Sequence, residues 1–285
     1  MSRLFSYTIQ DITLRLRVDA SALLPLAECL HSSSCRGSQE CPHDAAAEII
    51  WSTDTTGQPI LEIEGQSEAS TVNEAILFFL SEHRLTQLFA ERLQHLLQLH
   101  AATIVDPQGN GWLICGPSRA GKTSLTLAFI LSGWRWLSDE YALFKQTEPT
   151  TILGFPRNFN LKESSFPTFP ETAAQPHTTE FFSTGRQLKV RFLDPLDLAP
   201  GSWQQSAPLK GLIFPRWDAN AVSPVIRQTS GIAAAQTLLG ETASWQPWAL
   251  EIVSRICREV PALEFIYSYP RDLAPLQKIM LNLSK

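Results

Sequence analysis

Residues 112–140 read WLICGPSRAGKTSLTLAFILSGWRWLSDE, and their order decides the fold class. An apolar run, Trp112–Cys115, leads straight into GPSRAGKT at 116–123, which matches G-x-x-x-x-G-K-[ST]. Leu125, Leu127, Ala128, Ile130 and Leu131 then supply the apolar face of a helix over 122–132, and Gly133 suits its end. Strand, glycine-bearing loop and helix in that order predict an α/β domain built around a P-loop. In such a loop Gly116 and Gly121 let the backbone wrap around phosphate oxygens with successive N–H groups pointing inward. Lys122 brings a positive charge to the β- and γ-phosphates, the Thr123 hydroxyl can ligate Mg²⁺, and the helix start adds its positive dipole end. The expected ligands are therefore a nucleoside triphosphate, ATP in the first instance, and Mg²⁺. Gly116, Pro117, Ser118, Arg119, Ala120, Gly121, Lys122, Thr123 and Ser124 are the candidate binding residues.

Outward from the loop, Asp139 and Glu140 close the apolar stretch WRWL. Two adjacent carboxylates can divide the work of phosphoryl transfer, one on the metal and one taking a proton from a nucleophilic hydroxyl. A solvated strand end would show the same residues. Upstream, ATIV (102–105), DPQGNG (106–111) and WLIC (112–115) read as a hairpin whose tight turn uses Gly109, Asn110 and Gly111. His100 sits just before it and, taken alone, is as well explained by a surface or core position. Farther on, GFPRNFNLKE (154–163) places Arg157 and Lys162 in an irregular segment, where they either steady a transferring phosphoryl group or remain solvated. Lys210 and Arg216, flanking GLIF, and Arg186 and Lys189, in GRQLKV, are equally open.

The N-terminal third has another texture. Residues 4–18 alternate at period two as a half-buried strand does, and AEIIWS and PILEIEG within 47–64 give two more strands. Thr71 and Glu74 have capping-box spacing before the apolar run to Leu80, and Leu85, Leu88, Phe89, Leu93, Leu96 and Leu97 predict a second helix. Residues 164–185 read as a long loop. Cys29, Cys35 and Cys41, beside His31 and His43, sit at wider gaps than structural zinc sites use, and an ordinary loop is the simpler expectation. Five cysteines, an odd number, argue against a disulfide framework. A net charge of −5 gives no basic field for nucleic acid, and no apolar run approaches a membrane span. The N-terminus lacks the apolar core of a signal peptide, so a cytoplasmic location is expected.

His100 ahead of a hairpin, GPSRAGKTS at 116–124 and LSGWRWLSDE at 131–140 together resemble the C-terminal catalytic domain of the HPr kinase/phosphorylase family. Ser118 also fits that family's form of the loop. The resemblance covers residues 99–145. It implies a P-loop kinase core of the HPr-kinase/PEP-carboxykinase-like type, a mixed sheet with helices, over 85–285, preceded by a small β-rich α+β module over 1–84. It further implies that Lys122 and Thr123 contact phosphates and Mg²⁺, that the catalytic base is one of Asp139 and Glu140, and that His100 orients or tunes it. Asp139 is expected as the base, Glu140 with Thr123 on the metal side, and Arg157 as a helper that neutralises charge. The family carries Asp-Asp where this chain has Asp-Glu. Its downstream L-E-x-R-G-L-G signature is absent, and GFPRNFNLKE stands in its place. That segment is similar to shorter HPr-kinase-related proteins of peptide natural-product gene clusters, among them serine kinases acting on lasso-peptide precursors. The implied activity is ATP-dependent phosphorylation of a serine hydroxyl in a peptide. A small-molecule kinase on the same scaffold, or a non-catalytic nucleotide-binding module that recognises a peptide through a sheet edge, are the alternatives. Family members assemble into rings, so the resemblance leaves a homo-oligomer open.

Overall fold

A computed structural model describes residues 2–33, 45–69, 73–183 and 188–284. The chain divides into two compact units, one of residues 1–93 with 157–198, the other of residues 94–156 with 199–285. The polypeptide thus leaves the first unit, builds half of the second, returns, and leaves again.

In chain order the first unit opens with β1 (Arg3–Ile9), β2 (Ile12–Val18), α1 (Leu24–Glu28), β3 (Ala47–Thr53), β4 (Pro59–Ile63), β5 (Gln66–Ala69) and α2 (Glu74–Arg92). The second unit begins with β6 (Leu97–Val105), β7 (Gly111–Cys115), α3 (Lys122–Leu131), β8 (Arg135–Ser138), β9 (Tyr141–Lys145) and β10 (Glu148–Leu153). The first resumes with β11 (Phe159–Lys162), β12 (Thr179–Ser183), β13 (Leu188–Leu193) and α4 (Pro195–Leu198). The second ends with β14 (Ser206–Trp217), β15 (Val225–Gln228), α5 (Gly231–Gly240), β16 (Thr242–Ser244), α6 (Ala249–Glu259), β17 (Ala262–Tyr267) and α7 (Ala274–Leu283).

The first unit holds a five-stranded sheet in the order β1-β2-β3-β4-β5 and a three-stranded antiparallel sheet, β11-β13-β12. Residues 4–18 are not one strand. They fold back at Gln10, whose φ of 56° makes the left-handed turn joining β1 to β2. The expected pair of helices is a single one, because the apolar positions from Leu77 to Phe89 stay on one buried face without a break. Asn73 caps it, accepting the Ile76 N–H at 2.9 Å, while Thr71 lies outside the described residues. Residues 84 and 85 lie in the middle of this helix. The segment 164–185 is not an open loop either: two 3-10 turns, Glu163–Thr168 and Pro170–Ala174, precede β12. Cys35, Cys41 and His43 lie outside the described residues. His31 is buried between the rings of Tyr7 and Phe89, a packing role.

The second unit is one nine-stranded mixed sheet, ordered β10-β9-β6-β7-β14-β17-β15, with β8 and β16 both paired to β6. The expected hairpin is present as β6–β7. At its centre β7, β14 and β17 run parallel, and their buried stretches, such as Leu113–Ile114 and Leu212–Ile213, are the unbroken apolar runs that a two-faced strand requires. The fully buried Trp112 ring lies against the backbone of Gly211, where a Cβ would meet it at 2.3 Å. Helices α5 and α6 close this core, with Ala234, Leu238, Ile252, Val253 and Ile256 packed into the cluster that contains Leu99, Ala101, Leu113 and Cys115. Among the described residues no helix is long and apolar enough to cross a membrane.

Candidate active site

The site is organised by one dipeptide, His100-Ala101, in the middle of β6, where the partner strands change on both sides. On one side β6 pairs with β9 up to His100↔Tyr141 and with β8 from Thr103↔Ser138 onward. On the other it pairs with β16 up to Leu99↔Thr242 and with β7 from Ala101↔Cys115 onward. Backbone bonds at the junction alternate: His100 N–H donates to the Glu241 carbonyl at 2.7 Å, and Ala101 N–H to the Glu140 carbonyl at 3.1 Å. This register sets Cys115, the last residue before the 116–123 loop, opposite Ala101, with the acid pair on the far edge.

That loop joins β7 to α3. Pro117 to Ala120 make a turn closed by an N–H···O bond of 3.1 Å, and Arg119 takes a φ of 74°, as in concave backbone nests that bind anions. Gly121 starts α3 with a φ of 98°. A Cβ there would lie 2.1 Å from the Tyr267 hydroxyl, so glycine is required both by conformation and by the close approach of β17. Tyr267 is buried, stacked on Phe265 at 5.0 Å, and burial pushes its phenol up to about 12. Lys122 is buried as well, its ammonium donating to the Gly116 carbonyl at 2.6 Å and lying 3.5 Å from that of Pro117. Its charge is therefore held inside the loop by groups of the loop itself. Burial, and after it the negative charge of Glu241, pushes the Cys115 thiol up to about 12, which keeps it a neutral packing group.

The acids sit on an irregularity. Between Ile104 and Thr103 the β6–β8 register slips by one, leaving Leu137 as an extra residue, and Asp139 and Glu140 fall between β8 and β9. The Ser138 hydroxyl accepts the N–H groups of Glu140 (3.1 Å) and Tyr141 (3.0 Å) and so fixes this bend. Its result is to aim the two carboxylates at different neighbours. Asp139, buried, accepts from the Thr123 hydroxyl at 2.9 Å. Glu140, half-buried, has Oε1 3.8 Å from His100 Nε2. The Thr123 hydroxyl thus meets Asp139, while the expectation placed Glu140 beside it.

Glu241 is a member of this group that sequence reasoning passes over. Its Oε2 is 3.2 Å from His100 Nδ1, and its carbonyl bonds the same residue's N–H. It closes α5 immediately after Gly240, 141 residues from His100, and nothing in its local sequence marks it. Tyr267 and Ser138 escape notice for the same reason.

Arg157 falls in the first unit, where its guanidinium is 6% exposed and ion-paired with the Glu82 carboxylate of α2. The charge expected on an irregular loop is neutralised in a core. Lys162 ends β11, Lys189 pairs with Glu180, and Arg216 pairs with Glu264 at 3.3 Å. Arg186 lies outside the described residues.

No protein-family model matches the sequence, and no curated protein matches it. Among solved structures, the Hpr(Ser) kinase/phosphatase from Coxiella burnetii is similar at a TM-score of 0.32 and 18% identity, over 65% of this chain and 88% of that one. Two chains that superpose so loosely do not support transfer of residue roles.

An oxygen donor set for Mg²⁺ is at hand in Thr123 and Asp139. Among the described residues there is no cluster of three or more His, Cys, Asp or Glu side chains that could cage a metal. One hydroxyl and one carboxylate beside this glycine-bearing loop would suit Mg²⁺, which keeps much of its shell for water and other oxygens.

Proposed function

We propose that this protein is a Mg²⁺- and ATP-dependent phosphotransferase acting on a hydroxyl, with serine in a peptide as the acceptor. The observation that carries the proposal is the 2.9 Å bond from Thr123 to Asp139, since it joins the hydroxyl of a G-x-x-x-x-G-K-T loop to a carboxylate from the bend between β8 and β9. When bound, Mg²⁺ supplies charge neutralisation on the triphosphate oxygens. The chain's own residues supply the rest. The loop's backbone N–H groups and the start of α3 bind the phosphates, and Lys122 exchanges its carbonyl partners for phosphate oxygens. Asp139 and Thr123 form the metal side. Glu140, turned away from Thr123, takes the hydroxyl proton as the new O–P bond forms and the bond to the departing nucleoside diphosphate breaks. His100, beside Glu140, shares that proton.

The serine follows the resemblance of residues 99–145, and the peptide follows that of GFPRNFNLKE at 154–163. The test is incubation with γ-labelled ATP, Mg²⁺ and three acceptor classes: short peptides ending in serine, free serine and simple alcohols. Label in the peptides that is abolished by Glu140→Gln supports the proposal. Label in small alcohols alone replaces the acceptor, and nucleotide binding without any transfer supports a binding module instead.

A further inference from the structure

His100 stands between two carboxylates that reach it from opposite ends of the unit's sequence. Glu140 comes from the bend between β8 and β9, Glu241 from the corner between α5 and β16. The Glu241 side chain is 17% exposed against 30% for Glu140, so it is the better shielded partner and the one at hydrogen-bond distance, 3.2 Å against 3.8 Å. Its backbone is fixed independently by the 2.7 Å bond from His100 N–H. An ionised carboxylate only accepts, so the nitrogen hydrogen-bonded to Glu241 carries the hydrogen, while Glu140 at 3.8 Å is too far to impose one on Nε2. That leaves Nε2, the nitrogen facing Glu140, as the site where a proton can be gained. Resting on the proposed reading of Glu140 as base, we infer that Glu241 is a positioning residue. It holds His100 with Nδ1–H toward Glu241, so that Nε2 shares the proton Glu140 removes from the acceptor. The proton moves from the hydroxyl to the Glu140–Nε2 pair, and Glu241 stabilises the ring without exchanging a proton itself.

Two measurements on the full chain test this. ¹⁵N spectra of the histidine side chains, with the His100 signals assigned by a His100→Gln variant, report which nitrogen is protonated. The Nδ1–H form is expected for the wild type and for Glu241→Gln, whose amide oxygen still accepts. Glu241→Ala is expected to move His100 toward the Nε2–H form. In the transfer assay Glu241→Ala is expected to lower kcat by about 10–100-fold, the usual cost of losing an orienting partner. KM for nucleotide should stay near the wild-type value, and Glu241→Gln should keep most of the rate. A wild-type Nε2–H form, or a fall in kcat with no change of tautomer, overturns the inference. If no acceptor is ever modified while the spectra respond as expected, the orientation of His100 by Glu241 stands and the kinase reading fails.

Discussion

The Thr123 hydroxyl donates to the Asp139 carboxylate across 2.9 Å, tying the first turn of α3 to the bend between β8 and β9. The two residues are sixteen apart in sequence. If they form the metal side of the site, Thr123→Ala should weaken ATP binding about tenfold in the presence of Mg²⁺, or about 1.4 kcal/mol. Binding in the presence of EDTA should barely change. Calorimetric titrations with and without Mg²⁺ check this, and equal losses under both conditions would remove Thr123 from the metal side.

Gly121 is held by two separate constraints, its φ of 98° and the Tyr267 hydroxyl 2.1 Å from where a Cβ would stand. Gly121→Ala should cost about 1–2 kcal/mol for the left-handed backbone and about 1–3 kcal/mol for overpacking. Adding Tyr267→Phe should recover only the second part. Urea unfolding of the single and double variants separates the two. Full recovery in the double variant would mean that the backbone conformation costs nothing.

The Arg157–Glu82 pair is 6% and 11% exposed. Arg157→Ala should therefore destabilise the protein by about 3–5 kcal/mol, because it removes the cation paired with a buried carboxylate. Arg157→Met with Glu82→Leu should restore most of that loss. In the folded double variant ATP affinity and transfer rate should match the wild type. A transfer rate lost together with the arginine, at restored stability, would return Arg157 to the catalytic group.

Cys115 and Tyr267 both hold their protons more tightly in the folded chain than their ordinary values of 9.0 and 10.0 allow, each being pushed up to about 12 by burial. Between pH 9 and 12 the unfolded chain then binds fewer protons than the folded one, so stability falls as pH rises. A single such group contributes a slope of up to about 1.4 kcal/mol per pH unit. Cys115→Ala should flatten the decline of urea midpoints above pH 9 while leaving the profile near pH 7 parallel to the wild type. An unchanged alkaline slope would show that the thiol ionises in place.

What the sequence determined by itself was whatever depends on neighbours along the chain. Gly116, Gly121, Lys122 and Thr123 at their spacing, between an apolar strand and an apolar-faced helix, specify the strand–loop–helix form, because turn geometry and helix periodicity are local properties. The β6–β7 hairpin was legible in the same way from Gly109-Asn110-Gly111. The fold-back at Gln10 was not, because a non-glycine residue takes its left-handed conformation only under the pairing of β1 with β2. Which carboxylate meets Thr123 was equally hidden, since it turns on a one-residue slip at Leu137 that re-aims both acids. Arg157 looked like a loop charge in sequence and is buried in an ion pair with Glu82, while Glu241 looked ordinary and reaches His100 from 141 residues away. Charge availability and long-range register are set by which strands become neighbours, and only the tertiary structure decides that.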